Sequence, residues 1–94
     1  MYRVFRSKHY ETNLGKLDAS ERQRVMKFEQ ALKQQPFSGK PLGYAFLREE
    51  KFDGKRLLLL VYAEQQCVFL VTLMDKKAQQ QEIDWTKNHL ELYR

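Results

Sequence analysis

In the stretch FDGKRLLLLVY two cations, Lys55 and Arg56, stand directly against six apolar residues, Leu57 to Tyr62. A strand buried on both faces accounts for the apolar run. It does not account for a guanidinium and an ammonium crowded at its start. Arg56 is the more informative of the two, because a guanidinium grips phosphate or carboxylate with two parallel N–H donors where Lys offers a point charge. Arg48 and Lys51 precede the same turn, and Lys76 and Lys77 follow the next long apolar run, CVFLVTLM. Such a set can hold a phosphate or stabilise charge developing on one. The competing explanation is solvation. Strand ends are exposed, lysines block edge pairing, and Glu49, Glu50, Asp53 and Asp75 stand close enough in sequence to neutralise the cations.

Other chemistries find little support. There is no CxxC, no HExxH and no Gly-rich phosphate loop. His9 and His89 lie far apart without ligand-like neighbours, so no metal site and no cofactor are expected. His89 falls late in a predicted helix, where a surface position is the commoner role. Cys67 is the only cysteine, which excludes an internal disulfide, and inside CVFLVTL it reads as a small core hydrophobe.

The elements that must position the cations follow from periodicity. YRVF (Tyr2 to Phe5) reads as a first strand. Ser7 can cap a short helix whose Tyr10, Leu14 and Leu17 share a face. Asp18 and Glu21 form the signature of a capping box, and Val25, Phe28 and Leu32 give the apolar stripe of a second helix that Pro36 ends. FSGKPLG is a loop. YAFLREE, RLLLLVY and CVFLVTLM are three strands joined by KFDG and AEQQ, lengths that suit hairpins. A last helix is predicted from about Ala78, with Asp75 as a plausible cap. Val25, Leu32, Leu58, Leu60, Phe69 and Val71 are expected in the core. The fold class is therefore α+β: a small antiparallel sheet with an N-terminal helical hairpin and a C-terminal helix, the helices laid on one face. A meander of the three long strands would gather all six cations at one end of the sheet.

The chain has 94 residues, which suits a single domain over 1–94, and 43% hydrophobic residues suffice for one core. No apolar run approaches the ~18 residues of a membrane span, and MYRVFRSKHY lacks the apolar core of a signal peptide; a cytoplasmic protein is expected. A formal net charge of +5 points to an anionic partner, nucleic acid or acidic protein.

The ordered set of a helical hairpin ending in Pro36, then GKPLG, FLREEK, KRLLLLVY and TLMDKK, resembles the RelE/ParE superfamily of toxins from type II toxin–antitoxin systems, RelE-like members above all, across nearly the whole chain. The resemblance implies a metal-independent, ribosome-dependent mRNA endonuclease, in which a ribose 2′-OH attacks the adjacent phosphate and basic side chains stabilise the charge. By position, Arg56 matches the family's arginine, Arg48 and Lys51 its basic residues on the preceding strand, and Lys77 a cation after the last strand; Lys55 and Lys76 are the accompanying RNA contacts. The implied partners are a small cognate antitoxin, which would also set the oligomeric state, and the ribosome with its message. RelE-like nucleases often carry a Tyr or His on or after the last strand, where this chain reads KKAQQQEID with Ile83 nearby. That departure keeps two alternatives open: a ParE-like toxin that inhibits gyrase, and a regulatory member of the fold with weak catalysis.

Overall fold

Strand β1 (Arg3–Arg6) leads straight into helix α1 (Lys8–Gly15) because Ser7 caps it: the Ser7 hydroxyl accepts the Tyr10 N–H at 2.9 Å and donates to the Val71 carbonyl at 2.6 Å. Helix α2 (Ala19–Gln34) opens on the predicted capping box. Asp18 accepts from the Glu21 N–H at 2.7 Å, and Glu21 accepts from the Asp18 N–H at 3.2 Å. Strands β2 (Lys40–Pro41), β3 (Leu47–Phe52), β4 (Lys55–Tyr62) and β5 (Cys67–Asp75) follow, then helix α3 (Gln79–Asn88) and a 3₁₀ turn at Leu90–Tyr93. The computed structural model describes residues 1–52, 54–75 and 77–93.

The sheet order is β1-β5-β4-β3-β2. β2 to β5 form the antiparallel meander, but β1 lies parallel to β5, so the sheet is mixed rather than wholly antiparallel. The cause is local. The Ser7 N–H donates to the Leu70 carbonyl at 2.9 Å, which stitches the exit of β1 to β5 with both chains running the same way. β3 starts at Leu47 rather than Tyr44, because the Leu47 N–H turns back to the Tyr44 carbonyl. The loop before it contributes the unforeseen two-residue β2. Gly39 is required there, since a Cβ would stand 2.6 Å from the Glu49 carbonyl oxygen. Gly54, at φ 74°, supplies the left-handed position of the β3–β4 turn.

Helices cover both faces of the sheet, not one. Tyr10, Leu14, Val25 and Leu32 of α1 and α2 pack with Leu57, Leu59, Val61, Val68 and Leu70 on one face. Ile83 of α3, with Leu90 and Tyr93, covers Leu47, Leu58, Leu60, Val71 and Met74 on the other. Two covered faces explain why Leu57 to Val61 is an unbroken apolar run: alternate residues serve different cores. A bulge in β5 opposite Leu58 and Leu59 shifts the alternation, so Val68 and Leu70 before it and Leu73 after it all reach the α1–α2 core. Of the expected core, Phe69 is half-buried, its ring 5.8 Å from that of Tyr93, and the others are buried.

One polar cluster ties β1, α1 and α2 together. Glu29, 5% exposed, accepts from Arg6 Nε at 3.1 Å, Arg6 Nη2 at 2.6 Å and the Tyr10 hydroxyl at 2.8 Å. Burial, together with the Glu29 contact, pushes the Tyr10 hydroxyl well above the usual tyrosine range, and the bond to Glu29 raises Arg6 further.

Candidate functional site

Alternation along β3 and β4 decides which cations meet. On β4 the even positions Leu58 and Leu60 face α3, and Arg56 belongs to that row. On β3 Leu47 faces α3, so Glu49 and Lys51 do as well. The register pairs Lys51 directly with Arg56 across the two strands, and Arg56 with Met74 of β5. Directly paired residues of neighbouring antiparallel strands hold their Cβ atoms ~4.5–5.5 Å apart. Two cations therefore stand side by side at the end of the sheet where β3 leaves, β4 begins and β5 ends.

Glu49 is the counter-charge. It is 6% exposed and accepts from Gln79 Nε2 of α3 at 2.7 Å, so the first turn of the helix holds the carboxylate in place. Arg56 Nε lies 3.5 Å from Glu49 Oε1, an electrostatic contact longer than a good hydrogen bond, and Arg56 Nε has no hydrogen-bond partner among the described residues. The Arg56 guanidinium is thus positioned by a carboxylate without being saturated by it; among the described residues its hydrogen bond is from Nη1 to the Lys55 carbonyl at 3.2 Å. Lys51 is exposed beside it. Among the described residues one buried carboxylate stands against two cations, which leaves this part of the patch positive and open to an anion.

The remaining cations are arranged otherwise. Lys55 falls on the opposite face, its Nζ 3.9 Å from Glu21 Oε2 of α2. Lys77 is exposed in the turn between β5 and α3. Lys76 lies outside the described residues. Arg48 sits mid-strand opposite Leu59 and points away from Arg56, where its guanidinium donates to the carbonyls of Phe37 at 2.8 Å, Gly39 at 2.6 Å and Ala45 at 3.1 Å. That arrangement makes Arg48 a clamp on the loop before β3, and the gathering of all six cations at one end does not hold for it.

The second cluster near this end pairs α1 with α3: His9 Nε2 is 3.4 Å from Glu82 Oε1. Clefts of about 520 and 380 Å³ lie on either side of that pair, the first walled by Trp85 and Tyr93, the second by Lys16, Lys55 and Asp75. Trp85 stacks on His89 with ring centroids 4.1 Å apart, so His89 is a surface partner of an exposed aromatic. Ile83, near where the family resemblance would place an aromatic, is buried in the core under α3. Among the described residues no group of three or more His, Cys, Asp or Glu side chains is arranged to hold a metal ion, and no helix is long and apolar enough to cross a membrane.

No protein-family model and no curated protein matches the chain. Solved structures do. The toxin–antitoxin complex RelBE2 of Mycobacterium tuberculosis contains a chain 24% identical to this one, with a TM-score of 0.72 over 80% of this chain and 98% of that one. The intact RelBE complex of E. coli is similar at 20% identity and a TM-score of 0.72, over 80% of this chain and 96% of the other. A doubly substituted E. coli RelE in the free state reaches 0.78 at 20% identity, over 94% of this chain and 97% of that one. At these identities the likeness establishes the architecture: an α+β chain with the RelE fold.

Proposed function

We propose that this chain, which has the RelE fold, is the toxin of a toxin–antitoxin pair and acts as a metal-independent endonuclease on ribosome-bound messenger RNA. The observation that carries the reading is the pairing of Arg56 with Lys51. Like charges directly opposite on neighbouring strands oppose folding, and here, among the described residues, one buried carboxylate offsets two cations. An arrangement that costs stability in the free protein is accounted for by an anion that the patch binds. The solved relatives include RelE–RelB complexes from E. coli, M. tuberculosis and Pyrococcus horikoshii, which supports a small protein antitoxin as the partner of this chain too.

In the reaction, the 2′-OH oxygen bonds to the adjacent phosphorus and gives up its proton, while the bond to the 5′ oxygen breaks and that oxygen takes a proton. A 2′,3′-cyclic phosphate and a 5′-hydroxyl result. Charge builds on the non-bridging oxygens in between. Arg56, held at its base by Glu49 and with its fork unsaturated, meets that charge without reorganising. Lys51 and Lys77 hold the flanking phosphates. Arg48 acts through the loop it clamps, and Lys55 and Lys76 are RNA contacts of the approach.

Induced expression of the chain, with mapping of cut 5′ ends on translated and untranslated messages, tests the reading. Cuts confined to translated messages are expected, along with rescue of growth by an acidic or DNA-binding protein encoded beside it. Growth arrest without cuts would transfer the account to a binding toxin of the ParE kind, a reading that the buried Ile83 at the place of a catalytic aromatic would then favour.

A further inference from the structure

Three aromatic rings stand in solvent around the loop that Arg48 clamps. Phe37 is 42% exposed, Tyr44 43% and Phe46 40%. Tyr44 and Phe46 lie against each other with centroids 5.0 Å apart, and the Arg48 guanidinium lies 5.5 Å from the Phe37 centroid. Three half-exposed rings within ten residues are not explained by packing, since neither core holds them. The clamp on the carbonyls of residues 37, 39 and 45 fixes the backbone beneath them, so they are presented without an ordering cost at the moment of binding.

Charge selects the partner. Residues 37–46 contain no acid and carry Lys40, which is exposed. Lys87 of α3 brings its Nζ to 3.5 Å from where a side chain on Gly43 would begin, beside Tyr44. The carboxylates of β3 beside the loop are occupied: Glu50 accepts from the Ser38 hydroxyl, and Glu49 is buried against Gln79 and Arg56. Rings fenced by ammonium groups suit a polyanion with flat apolar faces. An apolar protein segment would gain nothing from the fence.

We propose that Phe37, Tyr44 and Phe46, with Lys40 and Lys87, form a stacking surface for unpaired bases of single-stranded RNA, separate from the Arg56–Lys51 patch. The inference rests on the reading of the chain as RNA-directed. Bases stack on the rings, an interaction that tolerates any base, and the two lysines hold the connecting phosphates.

The test is fluorescence anisotropy with a short labelled oligouridylate and a labelled RNA duplex of equal length, using the full chain. Tyr44→Ala with Phe46→Ala should weaken oligouridylate binding by roughly 5- to 150-fold per base unstacked and leave duplex binding and the melting temperature unchanged. Lys40→Ala with Lys87→Ala should weaken both probes and flatten the salt dependence by about 0.7 in log–log slope for each single-strand phosphate no longer neutralised. The proposal is overturned if wild type does not bind oligouridylate, if the aromatic double variant binds it as wild type does, or if that variant loses antitoxin binding alone. The two readings separate cleanly. If wild type cuts no translated message yet the aromatic variant loses oligouridylate binding, the endonuclease reading falls and the surface stands. If wild type cuts and the aromatic variant keeps both binding and cutting, the surface falls alone.

Discussion

At Arg56 the question is what a cation gains by standing next to another cation. Lys51 faces it across the strands, and the only close carboxylate among the described residues, Glu49, shares itself with Gln79. Lys51→Ala is therefore expected to raise stability by roughly 0.2–1 kcal/mol, the size of a cross-strand pair effect, while lowering RNA cleavage. Chemical denaturation beside a cleavage assay reads both, and a loss of stability would show that an attraction, not a repulsion, dominates at Lys51. Arg56 was legible in the sequence because its neighbours are so apolar. Its separation from Arg48 was missed although the signal was present: Arg48 and Lys51 are three apart, so a regular strand sends them to opposite faces, and only one can join Arg56. Glu29 was missed although its signal was present. It follows Val25 by four residues and precedes Leu32 by three, which places a carboxylate on the apolar stripe of α2, where it needs a partner. That the partners are Arg6 and Tyr10 depends on how β1, α1 and α2 meet, which no local spacing states.

Among the elements, β4 and β5 were readable from their continuous apolar runs, and the capping box placed α2 to the residue. The face taken by α3 was not readable. Its sequence, QQQEIDWTKN, buries only Ile83 and Thr86, and a stripe that thin does not say which side of the sheet it covers. The start of β3 was misplaced because Tyr44 and Phe46 have strand-like side chains while the backbone of residues 44–46 turns. Leu60, 2% exposed, sits between Leu47 and Phe69 in the core that α3 closes. Leu60→Ala should cost ~2–5 kcal/mol, a large share of what holds a domain of this size. Because that core carries α3, and α3 carries the Gln79 that fixes Glu49, the same variant should loosen Arg56 and reduce cleavage more than the fraction unfolded explains. A thermal melt that barely shifts would mean that β4 is not the central strand.

For the molecule as a whole, three tyrosines link stability to pH. Burial, chiefly, pushes Tyr10, Tyr62 and Tyr93 above the ordinary value of 10.0, with Glu29 adding to the shift of Tyr10 and Glu82 to that of Tyr93. The folded chain keeps protons that the unfolded chain gives up above that value. Stability from these groups is intact below pH 10.0 and is lost as pH rises past it. Alkaline titration of the phenolate absorbance should show ionisation of these residues only together with unfolding, and Tyr10→Phe should blunt the loss. Ionisation of Tyr10, Tyr62 or Tyr93 themselves near pH 10.0 in a folded chain would contradict the burial.

The measurement nearest the central claim is RNA cleavage by Arg56→Ala. Removing a prepositioned donor to developing phosphate charge typically costs ~100- to 1000-fold in rate. Arg56→Ala should therefore abolish cutting of translated messages and the growth arrest that goes with it, with antitoxin binding kept and the melting curve close to native. Arg56→Lys should recover little, because a point charge does not reproduce the fork. Full cleavage by a natively folded Arg56→Ala would contradict the account and leave the cations at this end of the sheet as surface charge.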